Sequence, residues 1–316
     1  MVNRPSFSKI LISDTRGDEI AAYLRARRPD LICRVRAADT LTAPDRVWAD
    51  ALIGFTVPVG LEGSSIRWVH STGAGVDALL RPHRWPAGVT LTRTTGELGA
   101  RIAEYCLAHA LALAQRIHMF QRDQTKRRWA PVEPATLRGS TAVIVGAGSV
   151  GSAIAARFGA LGCVTLGISR HGRPRSPFDR VHAVADLAAV VPAARWVILA
   201  APLTRDTRGL VGAKVLSRCR AAFLINVARG GLLDTAALLV ALKTGTLAGA
   251  ALDVCAEEPL PAESPLWGTT NLIITPHRAA GSQHGRRQVF AFFRENLRRY
   301  LHGEPLVNVV DLERGF

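Results

Sequence analysis

Short apolar runs alternate with segments of helical periodicity along most of the chain. Apolar runs of about four to eight residues are typical of buried parallel strands, and apolar positions three and four apart are typical of amphipathic helices. This alternation predicts an α/β fold. A second series of the same kind begins at Thr141 and continues to about Gly281. The first series contains the strand-like runs KILISD (9–14), ADALIGF (49–55) and IRWVHSTG (66–73) and the helix-like run DEIAAYLRAR (18–27).

A long helix is predicted between the two series. Apolar residues recur three and four positions apart from Ile102 to Phe120, which places them on one helical face. The polar segment 121–140, which contains arginine and proline, is predicted to be a loop. A last amphipathic helix is predicted near the carboxyl terminus, with its apolar face formed by Val289, Phe290, Phe293, Leu297, Tyr300 and Leu301.

Length and composition indicate a folded protein of two domains. The chain has 316 residues, and single cores stop growing beyond roughly 250–300 residues. Its 48% hydrophobic and 21% charged residues are typical of globular proteins. The apolar runs fall short of the ~18 residues of a membrane span, and the amino terminus lacks the apolar core of a secretory signal. We therefore expect a cytoplasmic protein without a membrane partner.

The cysteines argue against a metal site or a disulfide framework. There are five, an odd number, and no two form a CxxC pair. Zinc sites typically use closely spaced cysteine pairs, and secreted disulfide scaffolds typically contain an even number of cysteines. We expect reduced, mostly buried thiols at Cys33, Cys106, Cys163, Cys219 and Cys255.

The formal net charge of +15 comes almost entirely from arginine, because only four of the 40 basic residues are lysines. A basic surface can indicate a nucleic-acid partner. The arginines are spread along the whole chain, however, and no zinc-finger, homeodomain or RNP-type motif accompanies them. We favour a solvated arginine-rich surface that attracts anionic ligands, and nucleic-acid binding is the alternative.

A glycine motif with strand and helix context predicts a dinucleotide site. Gly146, Gly148 and Gly151 directly follow the strand-like run 141–145. Gly146 would permit the tight turn, Gly148 would let the pyrophosphate approach the backbone, and Gly151 would let helix and strand pack closely. Ser149 and Val150 would place the amino end of the helix at the phosphates. The helix itself is indicated by Val150, Ile154, Phe158 and Leu161.

The end of the next predicted strand, CVTLGISR (163–170), favours NADP(H) over NAD(H). An acidic residue about 20 positions after the last glycine would bind the adenosine ribose in an NAD enzyme. Here Ser169 stands 18 positions after Gly151, and Arg170 follows it with His171 and Arg173. No carboxylate repels a 2′-phosphate there, and cations are present to bind one. Use of NAD(H) stays open, since these arginines could be exposed to solvent without binding a phosphate.

Three later segments place an arginine, a glutamate and a histidine after strand-like runs. The segments are FLINVARGG (223–231), GAALDVCAEEPLP (249–261) and NLIITPHRAAG (271–281), and the residues are Arg229, Glu258 and His277. Ligand-contacting residues of doubly wound sheets lie at the carboxyl ends of the strands, so these side chains could converge. Each alone has an ordinary structural explanation. Together, after a dinucleotide loop, they indicate a catalytic set.

These motifs resemble the family of D-isomer-specific 2-hydroxyacid dehydrogenases, especially its glyoxylate/hydroxypyruvate reductase branch. The similarity extends over essentially the whole chain. The segments that carry it are STGAGVDALL (71–80), GAGSVG (146–151), APLTRDTRGL (201–210), the three segments above and the close PLVNVVDLERGF (305–316).

The resemblance implies a role for each matching residue. Arg229 would anchor the substrate carboxylate and polarise the C2 carbonyl, helped by the backbone amides of Ala74 and Gly75. His277 would exchange a proton with the carbonyl oxygen while hydride moves between the nicotinamide and C2. Glu258 would orient the imidazole and favour its charged form. The cofactor would be bordered by Asp253, at the carboxamide, and by Pro202, Thr207, Val227 and Ala228.

The resemblance also implies two Rossmann-like domains with the active site in the cleft between them. Residues 1–100 and 282–316 would form a discontinuous, flavodoxin-like substrate domain, and residues 101–281 the NAD(P)-binding domain. A homodimer through the cofactor domain is expected from the family. A nucleotide-sensing corepressor of the same fold is an alternative that would need no catalysis. Two departures from the family pattern are Arg278, which could favour a second anionic group on the substrate, and Ser169–Arg170.

Overall fold

The computed structural model describes residues 8–55, 60–80, 85–95, 98–281 and 285–313, without the side chains of 77–78 and 285–289. The chain divides into two compact units. The first unit is formed by Met1–Gly96 with Ser282–Phe316, and the second by Glu97–Gly281. Within the described residues, no helix has the length and apolar content that a bilayer crossing needs.

The first unit is built on a five-stranded parallel sheet. Its elements up to residue 96 are β1 (Lys9–Ser13), α1 (Gly17–Arg27), β2 (Ile32–Val35), α2 (Ala43–Trp48), β3 (Ala51–Gly54), β4 (Trp68–Ser71), α3 (Asp77–Leu80) and β5 (Thr90–Arg93). The strand order is β2-β1-β3-β4-β5, the flavodoxin-like order. Ile10 and Ile12 of β1 enter one core cluster and Leu11 enters the other. The sheet is therefore buried on both faces, which explains the continuous apolar run of the strand.

The second unit is built on a seven-stranded parallel sheet. Its elements are α4 (Leu98–Ala114), α5 (Ile117–Thr125), β6 (Thr141–Val145), α6 (Ser149–Ala160), β7 (Val164–Ser169), β8 (Arg180–Ala183), α7 (Leu187–Val190), β9 (Trp196–Leu199), α8 (Ala213–Leu216), β10 (Ala222–Asn226), α9 (Thr235–Thr244), β11 (Leu247–Leu252) and β12 (Leu272–Ile274). Core clusters cover both faces, with Val143 and Val145 of β6 in one and Ala142 and Ile144 in the other.

The strand order of this second sheet is β12-β11-β10-β9-β6-β7-β8. The order reverses direction between β6 and β9, and ligands of doubly wound folds bind at the carboxyl ends of the strands at such a reversal. The predicted α/β fold with two doubly wound parallel sheets is confirmed.

The chain returns to the first unit as α10 (Gly285–His302). Phe293 and Leu297 are buried in the core there, and the Phe293 ring stacks on Trp68 with centroids 5.1 Å apart. The predicted carboxyl-terminal amphipathic helix is confirmed. The side chain of Val289 lies outside the described residues.

The prediction of one helix over 102–120 is wrong. The helix α4 ends at Ala114, and Arg116, with φ of 57°, separates it from α5. The apolar periodicity continues through the break, but Ile117 and Phe120 are exposed and do not share the buried face of α4. The predicted loop consequently starts only after Thr125, and its Ala135 amide donates a hydrogen bond to the Ala114 carbonyl at the end of α4.

Candidate active site

The glycine loop between β6 and α6 is a tight backbone turn. Gly146 has φ of 111°, in the left-handed region, and a Cβ there would lie 2.5 Å from the Ala201 nitrogen. A Cβ on Gly151 would collide with the Gly146 carbonyl oxygen. Both positions therefore require glycine, which accounts for the first and third residues of the motif.

Gly148 faces open space. A Cβ on it would meet no atom within 4 Å, and it caps α6 without offering a side-chain acceptor. The first amides of a helix lack intrahelical partners and attract anions. Ser149 and Val150 begin this first turn, Ser149 exposed and Val150 half-buried. The cradle fits the pyrophosphate of a dinucleotide.

The turn after β7 carries the residues predicted to select the cofactor. The Ser169 hydroxyl accepts a hydrogen bond from the Gly172 amide at 3.1 Å. One Arg170 nitrogen lies 3.7 Å from a carboxylate oxygen of Asp206, a partner that the sequence did not suggest. Both side chains are more than half exposed, and such pairs contribute little to stability. Arg170 therefore remains able to bind an added phosphate.

The loop after β9 contains two further predicted cofactor neighbours. The Thr207 hydroxyl donates to the Pro202 carbonyl at 2.7 Å and accepts from the Thr204 amide at 2.7 Å. The loop is thus closed on itself, with Pro202 exposed and Thr207 half-buried. Asp206 extends from the same loop towards Arg170.

The turn after β10 holds Arg229 through a buried asparagine. The Asn226 amide group donates to the Arg229 carbonyl and its oxygen accepts from the Ala228 amide, both at 3.1 Å. The guanidinium of the half-buried Arg229 donates to the Ala228 carbonyl at 2.7 Å. Val227 and Ala228 are buried. Asn226 was not predicted as a site residue, although a polar residue that ends an apolar strand is a usable signal.

Gly230 brings the arginine loop against the loop after β11. A Cβ on Gly230 would collide with the backbone of Cys255 and Ala256. The segment that carries Arg229 therefore touches the segment that leads to Glu258. The strands β10, β11 and β12 are neighbours in the sheet, so the segments carrying Arg229, Glu258 and His277 leave it at adjacent carboxyl ends.

Glu258 and His277 form a direct pair. The His277 Nδ1 and Glu258 Oε2 atoms lie 2.7 Å apart, and Glu258 Oε1 accepts from the Cys255 amide at 2.8 Å. The side chains are 42% and 37% exposed, so solvent can reach the pair. Because Nδ1 is occupied by the carboxylate, Nε2 is the ring nitrogen left for proton exchange with a ligand.

Asp253 follows β11 and is only 2% exposed. Its carboxylate accepts hydrogen bonds from the Thr275 hydroxyl and from the backbone amides of Arg278 and Ala279, each at 2.7 Å. The predicted contact with a cofactor carboxamide stays a prediction. The bonds to the histidine loop are a feature that sequence spacing did not indicate.

Ala74 and Gly75 lie in the first unit, between β4 and α3. The Thr72 hydroxyl donates to the Asp14 carboxylate at 2.6 Å, and the Arg93 guanidinium donates to the Ala74 carbonyl at 3.2 Å. The carbonyl and amide of a trans peptide point in opposite directions. Arg93 therefore fixes the direction of the Gly75 amide, one of the two amides predicted to bind a carboxylate.

Among the described residues, no group of three or more His, Cys, Asp or Glu side chains is arranged to hold a metal ion. The five cysteines are free thiols, with Cys106, Cys163 and Cys219 buried and Cys33 and Cys255 half-buried. The prediction of mostly buried thiols is confirmed.

The second unit matches a known family model. The model of the D-isomer specific 2-hydroxyacid dehydrogenase, NAD binding domain, covers residues 107–279. A glyoxylate/hydroxypyruvate reductase A from Photorhabdus laumondii is 32% identical over 260 residues, which are 80% of this chain and 82% of that protein.

Solved structures are similar over almost the entire chain. A D-isomer specific 2-hydroxyacid dehydrogenase from Xanthobacter autotrophicus Py2, in complex with NADPH and MES, has a TM-score of 0.86 and 32% identity. An NADPH-dependent glyoxylate/hydroxypyruvate reductase from Sinorhizobium meliloti, in complex with NADP and sulfate, has a TM-score of 0.84 and 28% identity. Each alignment covers 98% of this chain and 100% of the other.

Proposed function

Because this chain belongs to the D-isomer specific 2-hydroxyacid dehydrogenase family, as its motifs predicted, we propose that it reduces small 2-keto acids such as glyoxylate and hydroxypyruvate with NADPH. The observation that carries the proposal is the Glu258–His277 pair at 2.7 Å, next in the sheet to the loop of Arg229. A bound nicotinamide supplies or accepts the hydride at C2.

The three polar residues divide the remaining work. Arg229 binds the substrate carboxylate with its planar fork of donors and stabilises the negative charge that develops on the carbonyl oxygen. His277 gives its Nε2 proton to that oxygen as C2 accepts the hydride, so the C2 carbonyl becomes an alcohol and the ring becomes neutral. Glu258 stabilises the charged ring before the transfer, and solvent reprotonates the half-exposed His277 afterwards. In oxidation each transfer runs in reverse.

Preference for NADP(H) is supported by the turn after β7. Ser169 stands where a carboxylate would repel a 2′-phosphate, and Arg170 contacts the exposed Asp206 only weakly, at 3.7 Å. The similar proteins from Xanthobacter and Sinorhizobium were solved with NADPH and NADP, respectively. We therefore assign NADP(H) as the preferred cofactor, with NAD(H) as the weaker one.

The remaining site residues enter the proposal by their motif positions. The backbone amides of Ala74 and Gly75 would bind the substrate carboxylate, and Asp253 would contact the cofactor carboxamide. Pro202, Thr207, Val227 and Ala228 would border the cofactor. A homodimer through the second unit and a cytoplasmic location complete the proposal.

A panel of 2-keto acids tests the activity. Glyoxylate, hydroxypyruvate, pyruvate and longer 2-keto acids are each offered with NADPH and with NADH, and cofactor oxidation is followed by absorbance. We expect turnover of the small acids and a higher kcat/KM with NADPH. Cofactor binding without turnover of any acid would instead support the corepressor-like alternative, and a clear preference for NADH would overturn the cofactor assignment.

A further inference from the structure

His277 has a backbone conformation that is uncommon for residues other than glycine. Its φ is 53°, in the left-handed region, where a side chain crowds the neighbouring carbonyl oxygen. Its amide donates to the carbonyls of Asp253 and Thr275, at 2.9 and 3.0 Å. Such a conformation persists only where surrounding contacts enforce it. Contacts with neighbouring residues must therefore hold the turn around His277.

The Asp253 carboxylate holds the turn on both sides of His277. On the amino-terminal side, Oδ1 accepts the Thr275 hydroxyl at 2.7 Å. On the carboxyl-terminal side, Oδ1 and Oδ2 accept the amides of Arg278 and Ala279, again at 2.7 Å. With 2% exposure, the carboxylate depends on these donors rather than on water. Since a carboxylate can accept about four hydrogen bonds, one position stays open for the predicted cofactor contact.

The direction of the hydrogen bonds extends this network to α4. A carboxylate can only accept, so Thr275 donates its proton to Asp253 and must itself accept from the Tyr105 hydroxyl, 2.6 Å away. A tyrosine hydroxyl is protonated at neutral pH and can donate, and burial raises the pKa of the Tyr105 phenol further. The Tyr105 ring lies against His109, with centroids 4.1 Å apart. The packing of the Tyr105 ring on α4 therefore holds its hydroxyl in place.

We propose that Thr275 and Tyr105 are positioning residues for the reaction, because the chain Tyr105–Thr275–Asp253 holds His277 in the left-handed turn that presents its imidazole to Glu258. This role rests on the proposed function for its effect on turnover. The Tyr105 hydroxyl bonds to Thr275 and the Thr275 hydroxyl to Asp253, so each acts through the backbone of the turn that Asp253 holds. Loss of the Thr275 hydroxyl should disturb kcat more than cofactor binding, since Asp253 keeps its bonds to the Arg278 and Ala279 amides and the glycine loop is a separate cofactor contact.

Isosteric substitution at Thr275 tests the proposal. Thr275→Val keeps the shape and removes the hydroxyl, and Thr275→Ser keeps the hydroxyl. We expect Thr275→Val to lower kcat by about tenfold or more with an NADPH Kd within about twofold of wild type, since small displacements of a reacting group have large effects on rate. Thr275→Ser should restore kcat to within about twofold of wild type. Thr269→Val is the matched control, because the Thr269 hydroxyl bonds only locally, to the Pro265 carbonyl at 2.9 Å.

A second readout needs no turnover. The Nδ1 proton of His277, bonded to Glu258, should give a low-field proton NMR signal that His277→Gln removes. The signal should be present in wild type, Thr275→Ser and Thr269→Val, and lost or shifted upfield in Thr275→Val. If Thr275→Val does not fold, Tyr105→Phe replaces it, with a smaller expected loss of kcat because Thr275 still reaches Asp253.

The two readouts separate the failure of this proposal from the failure of the proposed function. An unchanged NMR signal in Thr275→Val, or in Tyr105→Phe where the former does not fold, would overturn the positioning role even in an enzyme of confirmed activity. A protein that turns over no 2-keto acid, yet keeps the signal in Thr275→Ser and Thr269→Val and loses or shifts it in Thr275→Val or Tyr105→Phe, would keep the positioning role and refute the reductase activity.

Discussion

At the scale of single residues, Glu258 divides its two carboxylate oxygens between its own loop and its partner. Oε1 binds the Cys255 amide and Oε2 binds His277 Nδ1. The bond from the Cys255 amide already restrains the Glu258 carboxylate. The bond to His277 therefore costs the conformational entropy of the imidazole side chain alone, not that of two free side chains. Arg229 is restrained similarly by its bond to the Ala228 carbonyl. The side chains of Glu258, His277 and Arg229 are therefore each restrained by a hydrogen bond within the site.

Substitution of these residues should separate proton transfer from substrate binding. We expect His277→Gln to lose most of kcat, because glutamine cannot supply the proton. Arg229→Ala should chiefly raise KM and also lower kcat, because the carboxylate anchor acts in both ground and transition states. Steady-state kinetics with glyoxylate and hydroxypyruvate measure both effects. Near-normal kcat/KM in both variants would refute the assigned roles.

Local constraints in the site were predictable from sequence, and distant ones were not. Gly146 and Gly151 are required by contacts within one strand, turn and helix, which the motif spacing encodes. The bonds of Asp253 to Thr275, Arg278 and Ala279 span 22 to 26 positions of sequence. No period or motif relates residues so far apart, and only the pairing of β11 with β12 brings them together.

At the scale of elements, apolar runs predicted the strands well because both sheets are buried on both faces. The break between α4 and α5 was missed for a physical reason. Periodicity indicates where a helix could bury side chains. The helical path is interrupted at Arg116, which has a left-handed backbone conformation, and no neighbouring glycine or proline signals this break in the sequence.

The strand β4 predicts a pH dependence of stability. His70 is fully buried, with its ring nitrogens 2.8 and 3.2 Å from the hydroxyls of Thr92 and Thr94. Burial lowers its pKa to about 3. Between pH ~6.5 and that value the unfolded chain binds a proton that the folded chain does not, so the free energy of unfolding decreases as the pH falls through this window.

Chemical denaturation at pH 7 and pH 5 measures this linkage. The free energy of unfolding of wild type should fall on going from pH 7 to pH 5, because the unfolded chain protonates His70. The fall should be about 2 kcal/mol smaller in His70→Gln, which lacks the titrating ring. His171→Gln, at an exposed position, is the control and should behave as wild type does. Equal pH dependence in His70→Gln and wild type would contradict the expected protonation.

At the scale of the whole molecule, an exposed apolar surface bears on the proposed homodimer. Trp129 is 98% exposed, and with the exposed Ile117 and Phe120 it lines an open groove on the second unit. Clustered apolar side chains left in water are typical of interfaces. The net charge of +15 opposes association of two copies, so added salt should strengthen it.

Sedimentation velocity of wild type and Trp129→Ser tests this surface. We expect wild type to sediment as a dimer and Trp129→Ser to shift towards monomer, most clearly at low salt. Trp267→Ser removes another exposed tryptophan of the same unit and should leave the dimer unchanged. A monomeric wild type, or a Trp129→Ser variant that dimerises normally, would contradict the assignment of this surface.

The most direct measurement concerns the hydride itself. NADPH deuterated on the transferable position of nicotinamide C4 is incubated with the protein and glyoxylate, and the product is analysed by mass spectrometry and NMR. We predict that wild type forms glycolate with one deuterium at C2 and that His277→Gln forms almost no glycolate. Glycolate without deuterium at C2, or no glycolate from wild type, would contradict hydride transfer to the 2-keto acid.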